Sequence, residues 1–223
     1  MDTSTRIRLC AALAALLLTA TAQSASLLVN GSFENTTAGG TVFNPDNASF
    51  NAVMTGITAF GARQGIDIQT AGSGYGLSPQ NGAYKVSPAS DSGGTTEAFS
   101  LSMIGPLVVG ESYQLSFYIE RLIQSPFNGG TVQVGVSSSA TSFGTQVALA
   151  TAPNSGWLLS NSSFLAPIAA SYLTVRLTTT QSSWVGLDNF VLTGAAPVPE
   201  GGTAALLAAG LAVIGGLQTR RRR

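Results

Sequence analysis

Between Ser26 and Pro199 the chain carries eight carboxylates and four cations. The acids are Glu34, Asp46, Asp67, Asp91, Glu97, Glu111, Glu120 and Asp188, and the cations are Arg63, Lys85, Arg121 and Arg176. There is no histidine, and the one cysteine, Cys10, sits in an N-terminal apolar run. The middle of the chain therefore lacks an imidazole base, a thiol nucleophile, a disulfide and a Cys/His zinc site. Serines are abundant, but without histidine or a Gly-x-Ser-x-Gly elbow they have no base to activate them. A pair of carboxylates could serve as glycosidase acid and base. Asp67, Glu97, Glu111 and Glu120 are available, but no motif pairs them, and the chain is not expected to be an enzyme. The middle is mildly acidic and has no basic cluster, which argues against nucleic acid as a partner.

Aromatic side chains are the other candidates. Flat Trp and Tyr faces stack on sugar rings while neighbouring polar groups orient hydroxyls. Tyr75, Tyr84, Tyr118, Trp157, Tyr172 and Trp184 are present in the middle. Tyr118, Tyr84, Trp157 and Trp184 are the expected ligand-binding residues, against the alternative that such side chains are partly buried core. Gly72-Ser-Gly-Tyr-Gly76 and Pro79-Gln-Asn-Gly-Ala-Tyr84 read as flexible loops near a binding edge.

The elements that must position these groups read as strands. Tyr113, Leu115, Phe117 and Ile119 alternate with Gln114, Ser116, Tyr118 and Glu120, so one face is buried and Tyr118 lies on the wetter one. Val132, Val134 and Val136 repeat the pattern, as do Leu173, Val175 and Leu177 with Arg176 outward. Phe99, Leu101 and Met103 form another strand, and 27–33 and 186–192 are the expected first and last strands. No convincing amphipathic helix or crossover intervenes. The expected fold is all-β, a β-sandwich or jelly roll.

Six of the ten basic residues lie at the ends, at Arg6, Arg8 and Arg220 to Arg223. Arg6 and Arg8 precede Leu9 to Leu18 and then the small residues Ala20-Thr-Ala22, the order of a secretory signal peptide over 1–25. A permanent anchor is the alternative, although the apolar run is shorter than the ~20 residues a span needs. At the other end, residues 195–223 comprise an Ala/Pro linker, the apolar stretch Ala204 to Leu217 and the four arginines, which should stay cytoplasmic. A sandwich domain over 26–194 would then face outward.

Two family resemblances follow from particular motifs. Val198-Pro199-Glu200, the Ala/Leu/Gly stretch and Arg220, Arg221, Arg222 and Arg223 resemble the PEP-CTERM family of exosortase sorting tails. The tail departs from the main pattern at Gly201, where a second proline is usual. The resemblance implies an exosortase-like partner that cuts near Pro199-Glu200, with the membrane engaged through the tail before processing. The outcome would be a protein of the cell surface or extracellular matrix; a plain C-terminal anchor is the alternative. Leu28-Val-Asn-Gly-Ser-Phe-Glu34, Gly110-Glu-Ser-Tyr-Gln-Leu-Ser-Phe117 and Gly186-Leu-Asp-Asn-Phe-Val-Leu192 resemble strands of galactose-binding-like jelly rolls, which include carbohydrate-binding modules. That likeness implies first and last strands side by side and a structural calcium ion between them, held by Glu34 and Asp188. The alternative is that Glu34 caps a turn and Asp188 accepts a neighbouring backbone amide. Two functional classes stand: a non-catalytic structural module, or a module recognising exopolysaccharide.

Overall fold

A computed structural model describes residues 25–194 except 125 and 179. The apolar runs of the signal peptide and of the sorting tail are each expected to be helical, and both segments fall outside the described residues.

The strict alternation of Tyr113 to Ile119 builds the central strand. Ser112–Arg121 (β6) buries Tyr113, Leu115, Phe117 and Ile119 and leaves Gln114 exposed. It pairs antiparallel with Trp157–Leu165 (β11) on one side and Ser183–Gly194 (β13) on the other. Tyr84–Ser87 (β3) follows β13, and Asp67–Thr70 (β2) closes that sheet. The two-residue strand Ala89–Ser90 (β4) also pairs with the start of β13. The second sheet has the order Ile57–Ala59 (β1), Ala98–Ser102 (β5), Tyr172–Leu177 (β12), Thr131–Ser137 (β9) and Thr145–Thr151 (β10). Its pairs are antiparallel as well. A small hairpin joins Ile123–Gln124 (β7) to Phe127–Asn128 (β8). The result is an all-β sandwich of two antiparallel sheets.

The inward faces interlock in one apolar cluster. Phe99 and Leu101 of β5, the three valines of β9 and Leu173, Val175 and Leu177 of β12 meet β6 and β13 there. Phe117 stacks on Phe190 with ring centroids 4.6 Å apart, and Phe33 packs edge-on to Phe99 and Phe190. Burying a side chain of this size contributes about 1.5–3 kcal/mol, so the alternating stripes that are legible in the sequence are also what holds the sheets together.

Three local readings change. Residues 27–33 do not form a strand: Leu28 makes one isolated bridge to Met103. The segment instead bonds both sheets in turn, through Leu27 N–H to the Leu192 carbonyl and Val29 N–H to the Ser102 carbonyl. It turns because the Asn30 side chain bonds to Asn35 and Thr55, and Phe33 adopts a positive φ of 63°. A seven-residue helix, Asn47–Val53 (α1), is present, with the Asp46 carboxylate accepting from Ser49 N–H as its N-cap. Finally, strands β2, β3, β10 and β11, which carry no clean alternation, complete the sheets.

Candidate functional site

The outward face of the six-stranded sheet is where charge is buried. On β3, Val86 points into the core, so Lys85 points the other way; on β6, Ile119 points inward and Glu120 outward. Lys85 and Glu120 form an ion pair with essentially no exposure on either side chain. What covers them is the glycine- and serine-rich loop 71–83. The Lys85 ammonium donates to the Leu77 carbonyl at 2.6 Å and the Tyr75 carbonyl at 3.3 Å. Glu120 Oε2 accepts from Leu77 N–H at 2.8 Å. Burial raises the Glu120 carboxyl above its ordinary range, and the Lys85 ammonium pulls it back. Gly76 has φ 69°, and a Cβ there would run into the Leu122 side chain and come within 2.7 Å of Glu120 Oε1, so only glycine fits over the pair.

The same loop is fastened further along. Asp188 Oδ2 accepts from Gln80 N–H at 2.7 Å and Asn81 N–H at 3.0 Å, and Oδ1 from Asn189 N–H. Glu34 Oε1 accepts from Ala83 N–H and Tyr84 N–H, at 3.0 and 2.9 Å. The Trp157 indole donates to the Ser78 carbonyl at 3.1 Å. A segment whose composition reads as flexible is thus tied to four strands and to the turn at Glu34. Burial raises the Asp188 carboxyl to about 6, against the lowering by its amide donors, and the Glu34 charge adds to the rise.

The fastened loop presents Tyr75 to a cleft of about 310 Å³ at one end of this sheet, where β2 and β13 begin and β3 and β6 end. That volume is at the lower end of the range for small-molecule sites. Phe43, Tyr75, Phe127 and Trp184 line it, together with Arg63 and Asp67. Tyr75 meets Phe43 edge-on at 5.5 Å and Trp184 at 5.3 Å. The Arg63 guanidinium lies 5.1 Å from the Phe127 ring centre and bonds to Asp91 and Glu97. Phe43 is 44% exposed.

Besides Asp91, two buried acids lie near Arg63. Asp67 lines the cleft, with Oδ1 accepting from Asn44 N–H at 2.8 Å. Burial pushes its carboxyl up to about 6, opposed first by that amide and then by Gln69 and Arg63. Glu97 is buried: Oε2 accepts from Ala89 N–H at 2.7 Å and Oε1 takes Arg63. Burial pushes Glu97 up to about 8, more than the Ala89 amide and Arg63 recover, with the Asp67 charge adding to the rise.

Of the aromatics expected from the sequence to meet a ligand, Trp184 lines the cleft, although it is mostly buried against Leu122 and Ala89. Tyr84 donates its hydroxyl to the Ala38 carbonyl and packs on the main core. Trp157 holds the loop at Ser78 and lies over Lys85. Tyr118 is half-buried on β6, paired with Leu159 and Asp188. Phe43, Arg63 and Phe127 were not singled out by the sequence; the available signal was a phenylalanine directly before the turn residues Asn44-Pro45. Glu34 and Asp188 are near enough to influence each other's charge, and five backbone amides bond to three of their four oxygens. Each N–H aims positive charge where a cation would sit, and calcium takes six to eight oxygens. Among the described residues no group of three or more acidic, His or Cys side chains could hold a metal. The bonds this pair makes here are thus to backbone amides.

No family model matches the chain, and no curated protein matches it. Among solved structures it is similar to an arabinose-bound α-L-arabinofuranosidase, at 15% identity and a TM-score of 0.52, over 77% of this chain. It spans about a quarter of that enzyme's length, 26%. Weaker likenesses include a family 61 carbohydrate-binding module in complex with β-1,4-galactotriose, at 16% identity and a TM-score of 0.44 over 77% of this chain and 100% of that one. Another is a xylan-binding domain from Paenibacillus barcinonensis, at 16% identity and a TM-score of 0.43 over 78% and 100% of the two chains. At these identities the likeness defines a fold class, the two-sheet antiparallel β-sandwich, and nothing narrower.

Proposed function

We propose that this chain is a non-catalytic β-sandwich module of the galactose-binding-like jelly-roll type that binds a sugar unit of an extracellular polysaccharide in the cleft of Phe43, Tyr75, Phe127 and Trp184. The observation that carries this reading is the cleft itself: aromatic faces beside an arginine and a carboxylate, with Tyr75 held in place by buried charge. Faces of this kind cover the apolar side of a pyranose, and Arg63 and Asp67 supply a donor and an acceptor for hydroxyls. Asp67 is the one carboxylate among the described residues lining the cleft. Glycoside hydrolysis in its usual form needs two, which supports binding without turnover. The leader and tail motifs support export and exosortase-type sorting to the cell surface.

A glycan array probed with the purified protein tests the reading. One polysaccharide class should be retained, and Tyr75→Ala should weaken that binding at least about tenfold, the loss of a central aromatic anchor. Silence across all polysaccharides would sink it and leave a purely structural module.

We also propose that backbone amides, in place of calcium, secure the junction of Glu34 and Asp188. The expected Tm is the same with and without EDTA, measured by thermal melting. A fall of several degrees in chelator would assign a bound cation, since removing a ligand of the folded state lowers its stability.

A further inference from the structure

The end of the sandwich opposite the cleft carries a second surface. There β6 begins, β11 ends and β13 ends, since Ser112 pairs with Leu165 and Tyr113 with Gly194. Ile104, Val108, Val109 and Leu165 stand out of it at 69%, 60%, 60% and 65% exposure, the four most exposed large aliphatic side chains among the described residues. The segments that carry them are tied together. Gly110 N–H bonds to the Ala166 carbonyl, Ala166 N–H to the Glu111 carbonyl, and Leu107 N–H to the Ala170 carbonyl. Tyr113 accepts Val108 N–H on its hydroxyl, and Leu107 and Ala170 are buried beneath. These aliphatics are therefore held outward by a bonded scaffold, and the one charged residue among 103–112 is Glu111. Clustered exposed aliphatics mark an interaction surface.

Chain connectivity indicates the partner. Gly194 lies at this end, so the linker and the apolar stretch Ala204 to Leu217 with its four arginines follow directly from it. Nine residues, 195–203, separate Gly194 from that stretch, a reach of at most about 30 Å. We infer that this end is a membrane-resting face: while the tail is anchored, Ile104, Val108, Val109 and Leu165 insert shallowly into the lipid interface and hold the cleft pointing away from the bilayer. The occupant is lipid, and with no cation in the patch the contact is apolar, so it should not need anionic headgroups. This inference rests on the reading of the tail as a membrane segment.

The test uses the full chain with Cys10→Ser, reconstituted in phosphatidylcholine vesicles, with an environment-sensitive dye on Val108→Cys or, at the cleft end, on Ser92→Cys. Flotation that is lost on deleting residues 204–217 reports the tail; dye quenching by brominated acyl chains reports the face. The expected result is flotation of both, with several-fold stronger quenching and a blue shift at position 108 only. Adding Val109→Asp and Leu165→Asp should abolish that quenching without changing flotation. Flotation with equal, weak quenching at both positions overturns the membrane-resting face alone. Failure to float overturns the tail reading and the inference with it.

Discussion

Lys85→Ala should lower the melting temperature by roughly 6–20 °C, the equivalent of about 3–5 kcal/mol in a domain of this size. The ammonium it removes is fully buried, and its partner Glu120 has no solvent to turn to. Truncation leaves an uncompensated carboxylate under loop 71–83 and strips the Tyr75 and Leu77 carbonyls of their donor. Breaking a buried pair from one side is far costlier than replacing both partners, because the cost is dominated by the stranded charge. The double variant Lys85→Met with Glu120→Leu should therefore melt above the single one. The same substitution should also weaken polysaccharide binding, because the pair sets the position of Tyr75. Circular-dichroism melting decides the matter: a Tm for Lys85→Ala within two degrees of the parent would mean the pair holds nothing.

The second large effect is on pH. Glu97 has its carboxyl raised to about 8, and Asp67 and Asp188 theirs to about 6, above the ordinary values of 4.5 and 3.8. Across the window from about 4 to 8 the folded chain therefore holds protons that the unfolded chain has released. The unfolded state binds fewer protons there, so stability falls as pH rises. The contribution is fully present below about pH 4. It is lost through about pH 6 for the two aspartates and through about pH 8 for Glu97. Calorimetric scans should give a Tm that declines from pH 5 to pH 9. Glu97→Gln should flatten the upper part of that decline while leaving the lower part. A Tm that is level or rises over this range would contradict the burial of these acids.

Legibility in the sequence followed the range of the interaction. Strands β6, β9 and β12 repeat an apolar residue at every second position, a signal contained in each short segment. β3 was hidden because its Lys85 faces away from the core and is buried all the same, by a loop that local patterning does not describe. In β11, Leu158, Leu159 and Leu165 are exposed at the sheet edge, so its apolar residues do not mark a face. The loop over Lys85 read as flexible because glycine and serine report only the freedom of the free chain. Its partners are 43 residues away at Glu120 and 108 at Asp188. Trp184 was visible as an aromatic, but its neighbours Phe43 and Tyr75 arrive from two separate loops and Phe127 from the β7–β8 hairpin. A site assembled across that much chain leaves no local spacing to recognise.

The register step in β13 shows what was given up to build that assembly. Asp188 pairs with Tyr118, but Val191 pairs with Ser116, so three residues advance where two would suffice. Before the step Val185 and Leu187 face inward, and after it Phe190 and Leu192 do; the phase of the strand changes at Asn189, which has φ 51°. A chain shorter by that single asparagine would run in unbroken phase and still turn all four apolar residues to the same side. The hydrophobic interior thus has no use for the extra residue. Asn189 instead supplies a backbone N–H to Asp188 and a side-chain amide to Gln80. The irregularity serves the surface, and drift toward a tidier strand would keep the interior sound while the molecule lost its grip on the outside.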